Sequence, residues 1–122
     1  DDALSAERWN RLHPGQPAKV PLVAPLLADA PGPVVAVSDF MKIVPEQVAR
    51  FLPGRTFVPL GTDGMGRSDT RDSLRGYFEV NTGQVVAVLS ALAADGKASP
   101  DEVQAAIARH GIDPGSPDPL LV

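Results

Sequence analysis

The sequence contains no cysteine. Disulfides, thiolate nucleophiles and thiolate metal sites are excluded with it. Histidine occurs only at His13 and His110, which leaves little for a histidine-based metal site. His13 precedes a Pro-Gly turn and suits an exposed or capping role, while His110 falls in a last helical turn, where a cation complements the helix dipole. Aromatic residues make up 5%, so Val, Leu, Ile and Ala must fill the core. No apolar run approaches the roughly 20 residues of a membrane-spanning helix. Asp1-Asp2 carries the wrong charge for a secretory leader, so a cytoplasmic protein with no membrane contact is expected. Basic residues are outnumbered by acidic ones, giving a net charge of −4 and arguing against a general nucleic-acid binder.

What is present fits one small domain of 122 residues. A helical lead-in over 1–32, an α/β core over 33–111 and a proline-rich tail over 112–122 are expected. Leu4–Leu12 predicts a short helix starting near Asp2 or Ser5, and Leu22–Ala28 predicts a second after Pro21. Val34-Val35-Ala36-Val37 is a β-branched apolar run of the kind buried on both faces of a parallel sheet. A helix with Pro45 in its first turn and Val48, Phe51 and Leu52 inward follows, ended by Pro53-Gly54. Thr56–Leu60 reads as the next strand, with Pro59 marking an edge or an end. Strand, helix and strand compose a minimal βαβ unit. A further helix is expected from about Thr70, capped by Ser68 or Asp69, with Tyr77–Val80 an extended joint beyond it. Asn81 is suited to cap a helix over Thr82–Asp95 that faces the core through Val85, Val88, Leu89 and Leu92. Ser99-Pro100-Asp101-Glu102 spells a capping box with proline at the first helical position. That last helix turns Val103, Ala106 and Ile107 inward and stops at Gly111.

The chemically densest stretch is Gly61-Thr62-Asp63-Gly64-Met65-Gly66-Arg67-Ser68-Asp69-Thr70-Arg71, at the carboxyl end of the second strand. Open α/β sheets place ligands at that end. The stretch has two readings. In one, Thr62, Asp63, Gly64, Gly66, Arg67, Ser68, Asp69 and Arg71 form an anion site from backbone N–H groups, a helix start and arginine charge. In the other, Asp63, Ser68 and Asp69 satisfy the loop and cap the helix, while the arginines pair with carboxylates. Neither phosphate fingerprint is met: no Gly-Lys-Ser/Thr follows the glycines, and their spacing is G-x-x-G-x-G. No nucleophile–base–acid set and no metal-ligand set can be assembled from the residues.

Three stretches carry a family resemblance. Ala6-Glu7-Arg8-Trp9-Asn10-Arg11-Leu12-His13-Pro14 is one, and Pro31–Lys42 with Val44–Val48 is another. The third is Gly61–Asp69 with Leu74-Arg75 and Tyr77-Phe78-Glu79-Val80. Together they resemble the C-terminal domain of the homodimeric bacterial pyruvate dehydrogenase E1 component, of the thiamine diphosphate-dependent transketolase superfamily. Met65 stands where that family more often has an aromatic. The resemblance implies a three-layer transketolase C-terminal-like fold, a mixed, mostly parallel sheet with flanking helices. The resemblance further implies that the sheet's first strand, expected ahead of Asp1, is missing from this chain.

The implied reaction is pyruvate decarboxylation on thiamine diphosphate with Mg²⁺, followed by reductive acetylation of the lipoyl group of E2 dihydrolipoyl acetyltransferase. Thr62-Asp63-Gly64 is not the Gly-Asp-Gly cofactor signature, and Asn81 follows it too soon. Cofactor-binding and catalytic residues are therefore expected in other domains, and this chain alone is expected to be inert. Its implied partners are the rest of the E1 chain, a second protomer and E2. The alternative is a separate regulatory or anion-binding module using the Gly61–Arg71 loop.

Overall fold

The computed structural model describes residues 1–93 and 98–122. The elements run α1 (Asp2–Leu12), α2 (Val23–Leu27), β1 (Val34–Val37), α3 (Ile43–Glu46), a 3₁₀ turn (Ala49–Phe51), β2 (Phe57–Leu60), α4 (Arg71–Tyr77), α5 (Thr82–Ala93) and α6 (Pro100–Arg109). The chain is α/β, with β1 and β2 forming a two-stranded parallel sheet in the register Val34↔Phe57 to Val37↔Leu60.

The ladder fixes which edge of each strand is open. The Val34 and Ser38 N–H groups donate to the Thr56 and Leu60 carbonyls at 2.8 and 2.9 Å. In a parallel pair alternate residues turn their backbone groups to the partner. Val35 and Val37 therefore turn theirs to the far edge of β1, and Pro59 turns away from β1 on β2. The missing N–H of Pro59 costs no ladder bond and blunts the outer edge of β2. Among the described residues no strand pairs with either outer edge.

The core lies on the sheet face that carries Val35, Val58 and Leu60. Leu60, Phe78 and Val80 are buried there, with Val35, Val58, Leu74, Tyr77, Val85 and Val88 packed around them. β1 was expected to be buried on both faces, but its residues are only half-buried and Val37 is 47% exposed. The reason is coverage, since too few elements surround the pair. The accessible surface of 8575 Å² is about a third above the ~6,300 Å² that size scaling gives for a compact 12.8 kDa protein. Leu4, Leu22, Leu26, Phe40, Met41, Ile43 and Leu121 all stand exposed.

Local chemistry accounts for the helix ends. Asn81 Oδ1 accepts from Gln84 N–H at 2.9 Å and caps α5. The expected end of that helix at Asp95-Gly96 lies outside the described residues, as does the Leu92 side chain. Val85 and Val88 face the core, whereas Leu89 is 40% exposed and Ala87 is buried in its stead. At α6 the capping box is complete: Glu102 N–H donates to Ser99 Oγ at 3.3 Å and Ser99 N–H donates to Glu102 Oε2 at 2.7 Å. Those bonds hold the Glu102 carboxyl below its usual range, the backbone N–H of Ser99 first and its hydroxyl second.

Other expectations are corrected. The helix drawn from Pro45 to Leu52 breaks into α3 and the 3₁₀ turn, because Val48, Phe51 and Leu52 bond three residues back and Pro53 pushes Leu52 out of helical backbone. Tyr77–Val80 is not extended. Val80 N–H donates to Arg75 C=O and Glu79 N–H to Gly76 C=O, the two bonds of a Schellman turn. Glu79 occupies its left-handed position at φ 59°, where glycine is usual. The lead-in is tied down by side chains: Leu22 N–H donates to Asp2 Oδ2 at 2.7 Å, and Glu7 pairs with Arg50. His13 caps α1 by donating from Nδ1 to the Trp9 carbonyl at 2.8 Å, its ring stacked on the indole. Arg55 donates to the Leu27, Ala30 and Gly32 carbonyls, fastening the approach to β1.

Candidate functional site

Parallel strands bring their carboxyl ends to the same end of the sheet, so the loop after β1 and the Gly61–Arg71 loop after β2 meet there. They are stitched together by backbone. Thr62 N–H donates to Phe40 C=O at 3.0 Å, and Thr62 Oγ1 donates to Asp39 C=O at 2.9 Å. Lys42 N–H donates to Asp63 Oδ1 at 3.1 Å, and the Lys42 ammonium lies 3.7 Å from the other carboxylate oxygen. Gly61 is buried at this crossing: a Cβ on it would stand 2.5 Å from Phe40 O and 2.6 Å from Lys42 N. Its glycine is required by the close approach of two backbones.

The second glycine has a different filler. Gly64 has φ +98°, and a Cβ there would overlap the carbonyl oxygen of Pro119. Gly66 faces open space at an ordinary backbone angle. Gly61 and Gly64 are therefore seats for neighbouring backbone. A carbonyl oxygen stands over Gly64, and the Thr62 donor is already used.

The helix after the loop is capped by Thr70, not by Ser68 or Asp69. Ser73 N–H donates to Thr70 Oγ1 at 3.3 Å. Asp69 instead accepts from Thr70 N–H at 2.6 Å, and Ser68 is exposed beyond the cap. Arg67 lays its guanidinium over the Tyr77 ring, 4.5 Å from the centroid, and pairs with no carboxylate among the described residues. Arg71 is exposed on the first turn of α4. Arg75, one turn on, lies 3.6 Å from Asp39.

Arg67, Arg71 and Arg75 line one open cleft of about 480 Å³ with Thr62, Asp69 and Asp39, over a floor of Leu74, Phe78 and Val80. The arrangement offers guanidinium groups above an apolar base, with two carboxylates that compete for them. Asp39 and Arg75 were not singled out from the sequence. The signal for Asp39 was available: Ser38-Asp39 ends β1 at the same side of the sheet as the loop. Among the described residues no group of three or more His, Asp or Glu could hold a metal ion. No helix of the described residues is long and apolar enough to cross a membrane.

No family model matches the chain. Individual relatives do. The pyruvate dehydrogenase E1 component of Pseudomonas aeruginosa is 49% identical over 120 residues, which is 98% of this chain and 14% of the relative. That of Mycobacterium tuberculosis is 49% identical over 113 residues, 92% of this chain and 12% of the relative. The chain is similar, over nearly its whole length, to one segment of pyruvate dehydrogenase E1. The E1 component of Escherichia coli K12 extends the match, at 44% identity over 98% of this chain and 13% of the relative. The chain thus spans about an eighth of the E1 proteins it matches.

Proposed function

We propose that the chain is the C-terminal, structural and dimer-organising domain of a pyruvate dehydrogenase E1, and that it supplies no catalytic or cofactor-binding residue. The observation that carries this reading is 44–49% identity over almost all of the chain to proteins of which it is only 12–14%. On this reading the full enzyme decarboxylates pyruvate and reductively acetylates the lipoyl group of E2 dihydrolipoyl acetyltransferase, in the cytoplasm, as a homodimer. Thiamine diphosphate and Mg²⁺ supply that chemistry when bound. The residues here do not fit them: Gly61 and Gly64 are filled by backbone, and the described residues hold no carboxylate or histidine cluster for the metal. The cofactors belong to domains outside this chain.

The same reading makes 1–32 a lead-in, 33–111 the core and 112–122 a tail of a transketolase C-terminal-like domain with three layers. Its sheet is completed on β1, because the Val35 and Val37 backbone groups face an open edge while Pro59 blunts the other. The excess apolar surface supports a chain packed against the remaining E1 domains and a second protomer. An independent anion-binding module is disfavoured by the loop itself, whose Thr62 donor and Gly64 seat are both taken.

The Gly61–Arg71 loop is assigned to the entrance of the active site, with Arg67, Arg71 and Asp69 at its rim. The test is Arg67→Ala with Arg71→Ala in full-length E1. Acetyl transfer to the lipoyl group is expected to fall several-fold, with pyruvate oxidation by an artificial electron acceptor unchanged. Loss of neither would refute the entrance assignment.

A further inference from the structure

The tail has no regular element, yet it is not loose along its length. Asp113 Oδ1 accepts from Gly115 N–H at 2.8 Å, which shapes its first turn. Asp118 shapes the second, its Oδ1 accepting from Leu120 N–H at 2.9 Å while its backbone carbonyl accepts from Leu121 N–H at 2.9 Å. The residue held at the head of that second turn is Pro119, which is buried, while its neighbours Pro117, Asp118, Leu120 and Leu121 are exposed. The Pro119 carbonyl lies against the loop, in the space that a side chain on Gly64 would need.

The two halves of this contact fit each other. Gly64 adopts φ +98°, a conformation that side chains resist, and presents a bare Cα. Proline brings a preset backbone and no N–H to leave unpaired as it is buried. Gly61 fastens the loop at its start to Phe40–Lys42, and Thr70 fastens its end to α4. The stretch between them is otherwise held near its start by Thr62 and Asp63 and beyond Gly66 by the Arg67 guanidinium on the Tyr77 ring. Loops of this kind, with exposed residues and few buried contacts, sit at the low end of local stability.

We propose that the segment Asp113–Val122 is a strap that positions the Gly61–Arg71 loop, with Pro119 as the positioning residue and Gly64 as its seat. The geometry of the strap stands on its own. Its consequence for catalysis rests on the assignment of the loop to the active-site entrance. There it orders the Arg67 rim toward the incoming lipoyl group, so that it acts on acceptor binding and leaves pyruvate chemistry alone.

Full-length E1 tests both levels. Three variants are compared with the parent: Gly64→Ala, removal of residues 117–122, and the two combined. Pro119→Gly serves as the milder variant should the truncation fail to fold. Amide exchange at residues 62–67 is expected to rise at least about tenfold in each, with α1 unaffected. The combination should add no more than about twofold, because both changes break one contact. Unchanged exchange after loss of the strap overturns the proposal, as do effects that multiply as though independent. A strap-dependent rise in KM for the lipoyl acceptor, at unchanged pyruvate oxidation by an artificial acceptor, supports the catalytic consequence. A loosened loop with unchanged KM keeps the strap and overturns the entrance assignment.

Discussion

Gly61→Ala should be the most damaging small substitution in the loop, and its cost can be worked from distances. The added methyl would stand 2.5 Å from Phe40 O and 2.6 Å from Lys42 N. Ordinary non-bonded contact is about 3.5 Å or more, so the two backbones must part by roughly 1 Å. Both neighbours are main chain, with no flexible side-chain end to swing aside. Parting them stretches the Thr62–Phe40, Thr62–Asp39 and Lys42–Asp63 hydrogen bonds together. Overpacking costs about 1–3 kcal/mol, and each net hydrogen bond about 0.5–1.5 kcal/mol. A local loss of about 3 kcal/mol follows, equivalent to more than a hundredfold faster amide exchange. The assay is exchange at the Thr62 and Lys42 amides in full-length E1. Gly66→Ala is the internal control: open space and an ordinary backbone angle predict a neutral change, or a gain of about 0.4–1 kcal/mol. Exchange in Gly61→Ala within about fivefold of the parent, or equal damage from Gly66→Ala, would refute the reasoning.

Other outcomes follow from single observations. Glu79→Gly should stabilise the segment by about 1 kcal/mol, since it relieves a left-handed residue in the Schellman turn after α4. Slower exchange at Val80 checks this, and faster exchange would contradict it. The capping box should weaken in acid. Glu102 has a lowered pKa, so its contribution is fully present above the ordinary carboxylate pKa and is lost as pH falls through the lowered value. Circular dichroism of a peptide spanning residues 98–111 should show helicity falling in that acidic range, with a smaller fall in a Ser99→Ala peptide. Equal pH dependence in both peptides would rule out the box as the cause.

The elements that could be read from the sequence are those whose cause is local. The β-branched run at β1, Asn81 before α5 and Ser99 with Glu102 at α6 each signal themselves within four residues. The α3 break was missed because proline compatibility with a first turn hid the tight 3₁₀ bonding ahead of Pro53. At the site, the sequence located the loop but not its supports. Gly61 is filled from Phe40–Lys42, Gly64 from Pro119, and Arg75 meets Asp39, all contacts set by the fold rather than by spacing. Thr70 outcompeted Ser68 and Asp69 for the cap because the hydroxyl one residue closer to α4 reaches the Ser73 N–H. Both strands of the observed pair were legible as apolar runs, at Val34–Val37 and Thr56–Leu60.

The central claim is that this chain is one part of a larger E1 fold, with its sheet completed on β1. Amide exchange at Val35 and Val37 in full-length E1 tests it most directly. Both N–H groups face the outer edge of β1, where the described residues offer no strand partner. The account predicts that both are protected in the full-length enzyme, as slow to exchange as the ladder donors Val34 and Ser38. Exchange at Val35 and Val37 as fast as in an unstructured chain, beside protected Val34 and Ser38, would contradict it.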